Sequence, residues 1–360
     1  MRSAVLLNIL KNGVLIVVSL AVSFLVAETA LHMAGYRGEV SWNLENMITV
    51  DDSVLNFRFR PNSESFTGNI TYRLNSAGFR DSEHRYEKAP NMFRILVMGD
   101  SVAFGYKVKV EDTFSLRLEK LLEKNQGNVK AEVVTLAMPG LNSFQEAHLL
   151  QEEGRKYSPD LIVMLYSLND ADSGVSFKKK EEDVCRIELI HMEIPCAYKT
   201  FMKSSALLFF LKDRLDGLMW KLHIGDQDDV FGSIQTDYFS KLYTGDIKWK
   251  NNVLSGFDIV RDYSAQTGVP VLLVVSPVMY DFGQYSWKWI HEKIAKDAVA
   301  RGFVVVDLLP LYSRYSVMDV RVERGDFVHP GKLGHEIAAA ATSEAILKNS
   351  LLQRHSVSLN

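Results

Sequence analysis

The chain has little of several residue types that mark special classes of protein. Its 360 residues include only 2 cysteines and 9 prolines, which excludes a disulfide-dense scaffold and a proline-rich disordered chain. Charge of one sign is also lacking, because 41 Lys and Arg oppose 44 Asp and Glu for a formal net charge of -3. Proteins that bind nucleic-acid phosphates are expected to carry a basic surface. We therefore expect no nucleic acid among the partners.

One long apolar segment lies close to the N-terminus. Residues 14–27 contain no charge, Arg2 and Lys11 are the only charged residues before them, and residues 13–33 contain one charge, Glu28. As a helix, residues 13–33 would be about 30 Å long, which is enough to cross a bilayer. No small-x-small cleavage site and no lipid-attachment cysteine is evident. The sequence therefore predicts an uncleaved anchor, with secretion after signal cleavage as the alternative. The cationic N-terminal flank places the remaining chain outside the cytoplasm.

The two cysteines lie close together in the segment VCRIELIHMEIPC. Cys185 and Cys196 could form one disulfide in an oxidising compartment, and two free thiols are the alternative. Two thiols without a suitable His spacing do not predict a zinc site. We expect neither a metal nor a cofactor.

From residue 93 onward, apolar strands and amphipathic helices alternate. The predicted strands read FRILVMG, AEVVTLA, LIVMLYS, VPVLLVVSP and FVVVDLL. Helices are predicted over 113–124 and 287–300 and from about Gly331, and Ser143 with Glu146 has the spacing of a capping box. Near-continuous apolar strands separated by helices are typical of a parallel sheet covered on both faces. The sequence therefore predicts an α/β fold, a three-layer α/β/α sandwich on a mainly parallel five-stranded sheet.

The predicted domain organisation follows from these patterns. Residues 1–34 form the anchor, 35–92 a leader of short strands and loops, 93–350 the main domain and 351–360 a C-terminal tail. The alternation stops between about 171 and 246, where an apolar helix candidate reads SSALLFFLKDRLDGLMWKL. We interpret this stretch as an insertion at the C-terminal edge of the sheet, serving as a lid, a substrate-binding subdomain or a packing helix.

Polar residues follow the predicted strands, at the edge where doubly wound sheets bind ligands. They are Ser101, Gly140, Asn169 with Asp170, and Asp326 with His329. A serine hydroxyl needs a base to take its proton, and the imidazole base needs a carboxylate on its other nitrogen. Ser101, His329 and Asp326 supply these three groups. The backbone N–H groups of Ser101 and Gly140 and the side-chain amide of Asn169 are candidate donors to an oxyanion.

Four blocks in this order, RILVMGDSVAFG, LAMPGLNS, LIVMLYSLND and GDFVHPGKLGHEIAA, resemble the SGNH/GDSL hydrolase family over roughly residues 93–347. The resemblance implies a flavodoxin-like sheet, the SGNH hydrolase fold, with an esterase or acyltransferase site. In that site Ser101 is the nucleophile, His329 the base that Asp326 orients, and Gly140 and Asn169 complete the oxyanion hole. The family often has glycine two residues before the block-three asparagine, whereas this chain has Ser167, which affects the loop around Asn169.

The leader contains RLNSAGFRDSE, which resembles membrane-anchored bacterial members of the family that are associated with polysaccharide modification. This resemblance implies attachment to the bacterial inner membrane with the catalytic domain on the periplasmic side. Arg80 in this segment could bind an anionic sugar or a carboxylate, and Asp170 could also contact substrate.

The sequence leaves three functions open. The first is a serine esterase that removes short, acetyl-like groups from a carbohydrate or a related ester. The second is an O-acyltransferase of a surface polysaccharide, in which a sugar hydroxyl replaces water in the second half of the reaction. The third is a non-catalytic protein that binds glycans or assists their assembly, for which Ser101 would be dispensable.

Overall fold

The computed structural model describes residues 2–38, 48–49, 53–55, 57–67, 70–125, 130–172, 184–187, 192–195, 204–221, 238–323 and 325–352. The chain divides into two compact units. The first consists of Met1–Leu44, Ser65–Thr71 and Lys179–Ile224, and the second of Glu45–Glu64, Tyr72–Lys178 and Gly225–Asn360.

The strands are numbered in chain order. They are β1 Ile48–Thr49, β2 Arg58–Phe59, β3 Glu64–Thr67, β4 Ile70–Arg73, β5 Met92–Gly99, β6 Lys130–Ala137, β7 Leu161–Ser167, β8 Val184–Ile187, β9 Met192–Pro195, β10 Val271–Ser276 and β11 Val304–Asp307. Five of them build the central sheet in the order β11-β10-β7-β5-β6, and every pairing in that sheet is parallel. The short pairs β1–β2 and β8–β9 are antiparallel.

The helices are likewise numbered in chain order. They are α1 Arg2–Met33, α2 Ser101–Phe104, α3 Phe114–Asn125, α4 Ser143–Glu152, α5 Ala206–Lys221, α6 Asp246–Lys248, α7 Ser255–Thr267, α8 Lys288–Val299, α9 Leu309–Tyr312, α10 Val317–Val320 and α11 Lys332–Lys348. Short 3-10 turns lie at Val110–Asp112, Gly154–Tyr157, Leu168–Ala171 and Phe282–Gln284, and a π-helical segment at Trp249–Leu254 precedes α7.

The strand order explains how the second unit forms three layers. The chain passes from β5 to the edge strand β6 and then back across β5 to β7, β10 and β11. Because crossovers between parallel strands are right-handed, this reversal puts the connecting helices on opposite faces of the sheet. Helix α3 packs against α11, and α4 packs against α7. The middle strands β5, β7 and β10 are therefore buried almost throughout, as their apolar sequences predict.

This architecture confirms the predicted α/β/α sandwich with a flavodoxin-like strand order. The apolar helix candidate in the predicted insertion is also confirmed, as α5. The division into anchor, leader, main domain and tail stays a prediction. The predicted disulfide lies outside the described residues, because Cys196 is not among them.

The first unit contains the apolar helix α1. Residues Leu10–Met33 are strongly apolar, with a mean hydropathy of 2.4, and the most apolar part of this stretch is not buried. A helix of this length and composition can cross a membrane or serve as a signal sequence.

Candidate active site

Ser101 lies at the sharp turn where β5 ends and α2 begins. It is the first residue of α2, and Asp100 caps this helix because its carboxylate accepts a hydrogen bond from the Val102 N–H at 2.8 Å. A side chain at position 99 would meet the Ala103 Cβ at 2.6 Å and the Leu165 carbonyl oxygen at 2.8 Å. Only glycine lets β5 run directly into this turn, and the turn places the serine at the carboxyl edge of the sheet.

His329 lies in the loop between α10 and α11, and hydrogen bonds close that loop at its base. The Val322 N–H donates to the His329 carbonyl at 3.0 Å, and the Gly331 N–H donates to the Val320 carbonyl at 2.6 Å. The Met279 N–H, which follows β10, donates to the Phe327 carbonyl at 2.6 Å. The loop is therefore attached to the sheet on one side and to α10 on the other.

The loop brings His329 between Ser101 and Asp326. The His329 Nε2 lies 2.7 Å from the Ser101 Oγ, and its Nδ1 lies 2.9 and 2.8 Å from the two carboxylate oxygens of Asp326. Ser101 is 8% exposed and the imidazole is half-buried. The structure thus brings together the three residues that the sequence predicts as a triad, in the hydrogen-bonded order that activation of a serine requires.

Asp326 is fixed by its own backbone as well as by the imidazole. Its Oδ1 accepts hydrogen bonds from the N–H groups of Val328 at 3.1 Å and His329 at 2.9 Å. Burial raises the pKa of this carboxyl, but the hydrogen bonds and charge interaction with His329 and the two backbone N–H groups outweigh burial and lower it. Asp326 is therefore an ionised carboxylate that orients the imidazole.

The three predicted oxyanion donors come from three strand ends. The Ser101 N–H is at the start of a helix and has no acceptor within that helix. Gly140 has a φ of 79°, which a glycine adopts without strain, and its loop lies beside the end of β5 because the Met138 N–H donates to the Gly99 carbonyl at 3.3 Å. Asn169 lies in the turn after β7, and its Nδ2 donates to the Asp100 Oδ2 at 2.8 Å. An amide nitrogen carries two hydrogens, so one of them stays available to an oxyanion.

Ser167 has a role that the sequence did not predict. Its hydroxyl donates to the Asn169 Oδ1, while Asp100 accepts from the Nδ2 of the same amide. The two contacts fix which end of the amide faces Asp100. The departure from the glycine that the family often has at this position therefore adds a hydrogen bond that orients Asn169.

Behind Ser101 lies a cluster of buried carboxyl groups, Asp100, Glu146 and Asp170. All three are at most 1% exposed, and both Glu146 oxygens and the Asp170 Oδ1 have no hydrogen-bond partner within the described part of the chain. Burial and then the neighbouring acids raise the pKa of Glu146 and of Asp170 well above the ordinary range. Asp170 is fully buried and does not reach the surface. Its predicted contact with substrate stays a prediction.

Helix α4 begins at Ser143 as predicted, but the predicted capping box is wrong. The Asn142 side chain accepts from the Gln145 N–H at 3.0 Å, and the Gln145 Oε1 accepts from the Asn142 N–H at 3.1 Å. The box therefore lies one residue earlier than Ser143 and Glu146. Both of those side chains are buried and cannot turn back to the helix end.

Arg80 lies under helix α2. Its guanidinium, on a residue 6% exposed, donates to the carbonyls of Phe104 at 3.0 Å and Val108 at 2.7 Å and also binds the Gly105 carbonyl. It stacks on the Tyr72 ring at 4.5 Å from the centroid. These contacts hold the C-terminal end of α2, and a contact between Arg80 and substrate stays a prediction.

Tyr106 and Lys107 form the edge of the site. The Tyr106 ring is half-buried, with its centroid 4.6 Å from that of His329. The Lys107 Nζ lies 5.5 Å from the Tyr106 centroid and 2.7 Å from a Glu323 carboxylate oxygen. The sequence did not single out Tyr106 or Lys107, because only the fold brings Tyr106 beside His329. In the described ranges no group of three or more His, Cys, Asp or Glu side chains could hold a metal ion.

Comparisons with known proteins identify the family of the chain. The model of the GDSL-like lipase/acylhydrolase family matches residues 97–337. A two-domain esterase active on acetylated mannans is 14% identical with a TM-score of 0.40, and the match covers 71% of this chain and 49% of that chain. The chain thus spans about half the length of that esterase.

Two further solved structures show a similar likeness. A lipase/acylhydrolase from Enterococcus faecalis is 16% identical, with a TM-score of 0.38 and coverage of 72% of this chain and 97% of that one. An acetyl xylan esterase is 13% identical, with a TM-score of 0.41 and coverage of 71% and 100%. The comparison with curated proteins found no match. Because the family model covers more than half of its length, the chain belongs to the GDSL-like lipase/acylhydrolase family.

Proposed function

We propose that this protein is an extracytoplasmic serine esterase that removes short, acetyl-like acyl groups from a carbohydrate or a related ester. The observation that carries the proposal is the continuous hydrogen-bonded chain from Ser101 through His329 to Asp326, with distances of 2.7 and 2.8 Å. Each group in this chain supplies one requirement of nucleophilic catalysis at neutral pH.

In the first half of the reaction, the Ser101 Oγ attacks the ester carbonyl carbon and its proton passes to the His329 Nε2. The carbonyl oxygen becomes an oxyanion, to which the N–H groups of Ser101 and Gly140 and the Asn169 amide would donate. The intermediate then collapses, the bond to the leaving alcohol breaks, and His329 gives its proton to that alcohol. Asp326 stabilises the imidazolium without taking its proton.

In the second half, water replaces the alcohol. His329 takes a proton from the water, the hydroxyl attacks the acyl-enzyme, and the carboxylic acid leaves as Ser101 regains its proton. A sugar hydroxyl in place of water would make the same enzyme an O-acyltransferase. Which acceptor reacts depends on the hydration of the site.

The carbohydrate substrate and the location rest on separate observations. Tyr106 presents a half-buried ring beside His329, and aromatic rings combine an apolar face with a polar edge, which suits a sugar ring. The N-terminal helix supports an anchor, and the positive flank that precedes it supports an extracytoplasmic catalytic unit.

A fluorophosphonate probe tests the proposal without knowledge of the substrate. We expect the full-length protein in detergent to be labelled on Ser101, as located by mass spectrometry of the modified peptide. Ser101→Ala and His329→Ala should both abolish the label, whereas Ser313→Ala, which changes an exposed serine of the same unit, should retain it. A folded protein that reacts at no serine, or that still reacts in His329→Ala at the original rate, would contradict the proposal.

Acetyl release from an acetylated oligosaccharide then distinguishes the two acceptors. We expect free acetate in the presence of added unacetylated glycan. Transfer of the acetyl group to that glycan in place of acetate release would identify an acyltransferase and leave the role of Ser101 intact.

A further inference from the structure

Helix α5 begins at a side chain of α1. The Glu28 carboxylate accepts hydrogen bonds from the backbone N–H groups of Ala206 and Leu207, both at 2.8 Å, and from the Ser205 hydroxyl at 2.9 Å. A carboxylate at this place satisfies the unpaired N–H groups at a helix start and interacts favourably with the helix dipole. Glu28 therefore fixes the first turn of α5 against α1.

Aromatic contacts hold the next residues of α5. The Tyr36 ring lies 6.3 Å from the Phe209 ring and 5.4 Å from the Phe210 ring, measured between centroids. The Arg214 guanidinium stacks on Phe210 at 5.0 Å. The polar cap and the aromatic contacts together fix the position of the first turns of α5 at the outer end of α1.

The leucines of α5 face away from these contacts. Leu211, Leu215 and Leu218 are 53%, 51% and 52% exposed, and their spacing of four and three residues places them on one side of the helix. Phe209 lies on the opposite side of the helix, and Phe210 lies between Phe209 and the leucines. The leucine stripe, meaning these three side chains, is thus apolar surface that the described residues leave exposed.

We propose that α5 lies in the membrane interface with the leucine stripe in the lipid, an inference that rests on the proposed membrane anchor. The proposal rests on the depth of the Glu28 cap within the candidate span. Glu28 is five residues from Met33, the last residue of the candidate span Leu10–Met33. At 1.5 Å per residue, the start of α5 lies about 7.5 Å inside the outer end of the span, and Tyr36, which contacts Phe209 and Phe210, lies three residues beyond that end. Helices that lie flat on a bilayer bury their apolar face about 5–10 Å into the boundary between headgroups and acyl chains.

The charges of α5 fit the same position. Lys212 and Arg214 are exposed next to the stripe, and cationic side chains at an interface bind anionic headgroups while their stems cover apolar surface. A lipid partner accounts for the stripe, the flanking cations and the depth of the cap at once. Membrane contact at α5 would also hold the insertion close to the bilayer.

Photocrosslinking in lipid vesicles tests this position with the full-length protein. Benzoylphenylalanine replaces Leu215 in one sample, Asp213 in a matched control and Leu20 in a third, in vesicles of phosphatidylethanolamine and phosphatidylglycerol. Asp213 is exposed two residues before Leu215, on the opposite side of α5. Leu20 is 65% exposed in the middle of α1. We expect several-fold more lipid adducts at position 215 than at position 213.

The three positions separate the possible failures. Lipid adducts at position 20 with no excess at 215 over 213 overturn the interfacial helix and leave the anchor in place, whether position 215 crosslinks to a second copy, to the same chain or to nothing. No lipid adducts at position 20 overturn the anchor itself. If the probe at position 215 prevents folding, the probe at Leu211 or Leu218 replaces it, since both belong to the same stripe.

Discussion

The Asn169 amide is held at both ends, which would preorganise it for the proposed donation to an oxyanion. Ser167 binds its oxygen and Asp100 accepts from its nitrogen. Without Ser167 the amide could rotate and present its oxygen, an acceptor, to the negative charge. Preorganised donors contribute most because they need no reorientation during the reaction.

Ser167→Ala therefore tests a positioning role. We expect kcat to fall roughly ten-fold with KM little changed, because loss of the whole donor typically costs about 10²–10³ in kcat. Steady-state kinetics on an aryl acetate measures both constants. Asn169→Ala should show the larger loss, and Ser167→Thr, which keeps the hydroxyl, should restore most of the activity. Equal kcat values for Ser167→Ala and the original enzyme would contradict the role.

Glu146 gives the protein a dependence of stability on pH. Burial and the charge of Asp100 raise its pKa well above 4.5 in the folded state. A raised pKa means that the folded state binds the Glu146 proton more tightly than the unfolded state does. Proton binding therefore stabilises the fold fully below the pKa that Glu146 has in the unfolded chain, and this stabilisation is lost as the pH rises through its pKa in the folded protein.

We expect Glu146→Gln to gain stability relative to the original protein as the pH rises above 4.5, by at most about 1.4 kcal/mol per pH unit for one proton. Thermal unfolding of the two proteins in detergent between pH 4 and pH 9 measures the difference. Glu344→Gln, which removes an exposed carboxylate, reports the effect of one lost charge. A difference between Glu146→Gln and the original protein that is constant over this range would show that folding does not raise the pKa of Glu146.

Among the elements, the segment that precedes β5 is attached to the sheet by a charged cluster. The His84 imidazole lies 2.8 Å from a Glu132 oxygen on β6 and 3.2 Å from an Asp81 oxygen, and the Arg94 Nε on β5 donates to Glu132 at 2.7 Å. Burial lowers the pKa of His84, but Asp81 and Glu132 outweigh burial and raise it to about 9. The imidazole is therefore cationic at neutral pH and bridges two carboxylates.

We expect His84→Gln to destabilise the protein at neutral pH and to do so less as the pH rises. The unfolded histidine titrates near 6.5, so its contribution is complete below that pH and is lost as the pH rises through about 9. Thermal unfolding of the two proteins from pH 6 to pH 10 measures the convergence. His148→Gln, which changes a histidine of α4 that contacts one carboxylate, that of Glu152 at 3.2 Å, is the control. Parallel curves for His84→Gln and the original protein would mean that folding does not raise the pKa of His84.

The elements also show how far the sequence could be interpreted. The strands β5, β7 and β10 were predictable because strands buried on both faces are continuous apolar runs. The capping box was not, because Ser143 with Glu146 and Asn142 with Gln145 both match the pattern, and the burial of Glu146 decides between them. The positions of Arg80 and Ser167 depend on partners that only the folded chain brings together.

At the scale of the whole molecule, the proposed location depends on the fate of α1. The apolar helix can be a membrane span or a signal sequence. The two interpretations differ in whether residues 2–11 stay on the mature chain. We expect the protein from a membrane fraction to retain these residues, as measured by intact mass, and to stay in the pellet after alkaline carbonate washing.

Charged substitutions within the candidate span, compared with apolar ones at the same positions, test the anchor. An arginine at the centre of a membrane helix costs about 2.5–3.5 kcal/mol on insertion scales. Val17→Arg together with Leu20→Arg should therefore move the protein from the pellet to the supernatant, whereas Val17→Leu together with Leu20→Val should leave it in the pellet. A mature chain that begins between residues 28 and 34 would identify a cleaved signal. Glu28 would then cap α5 only in the precursor or at a new N-terminus, and the enzyme would act away from the membrane.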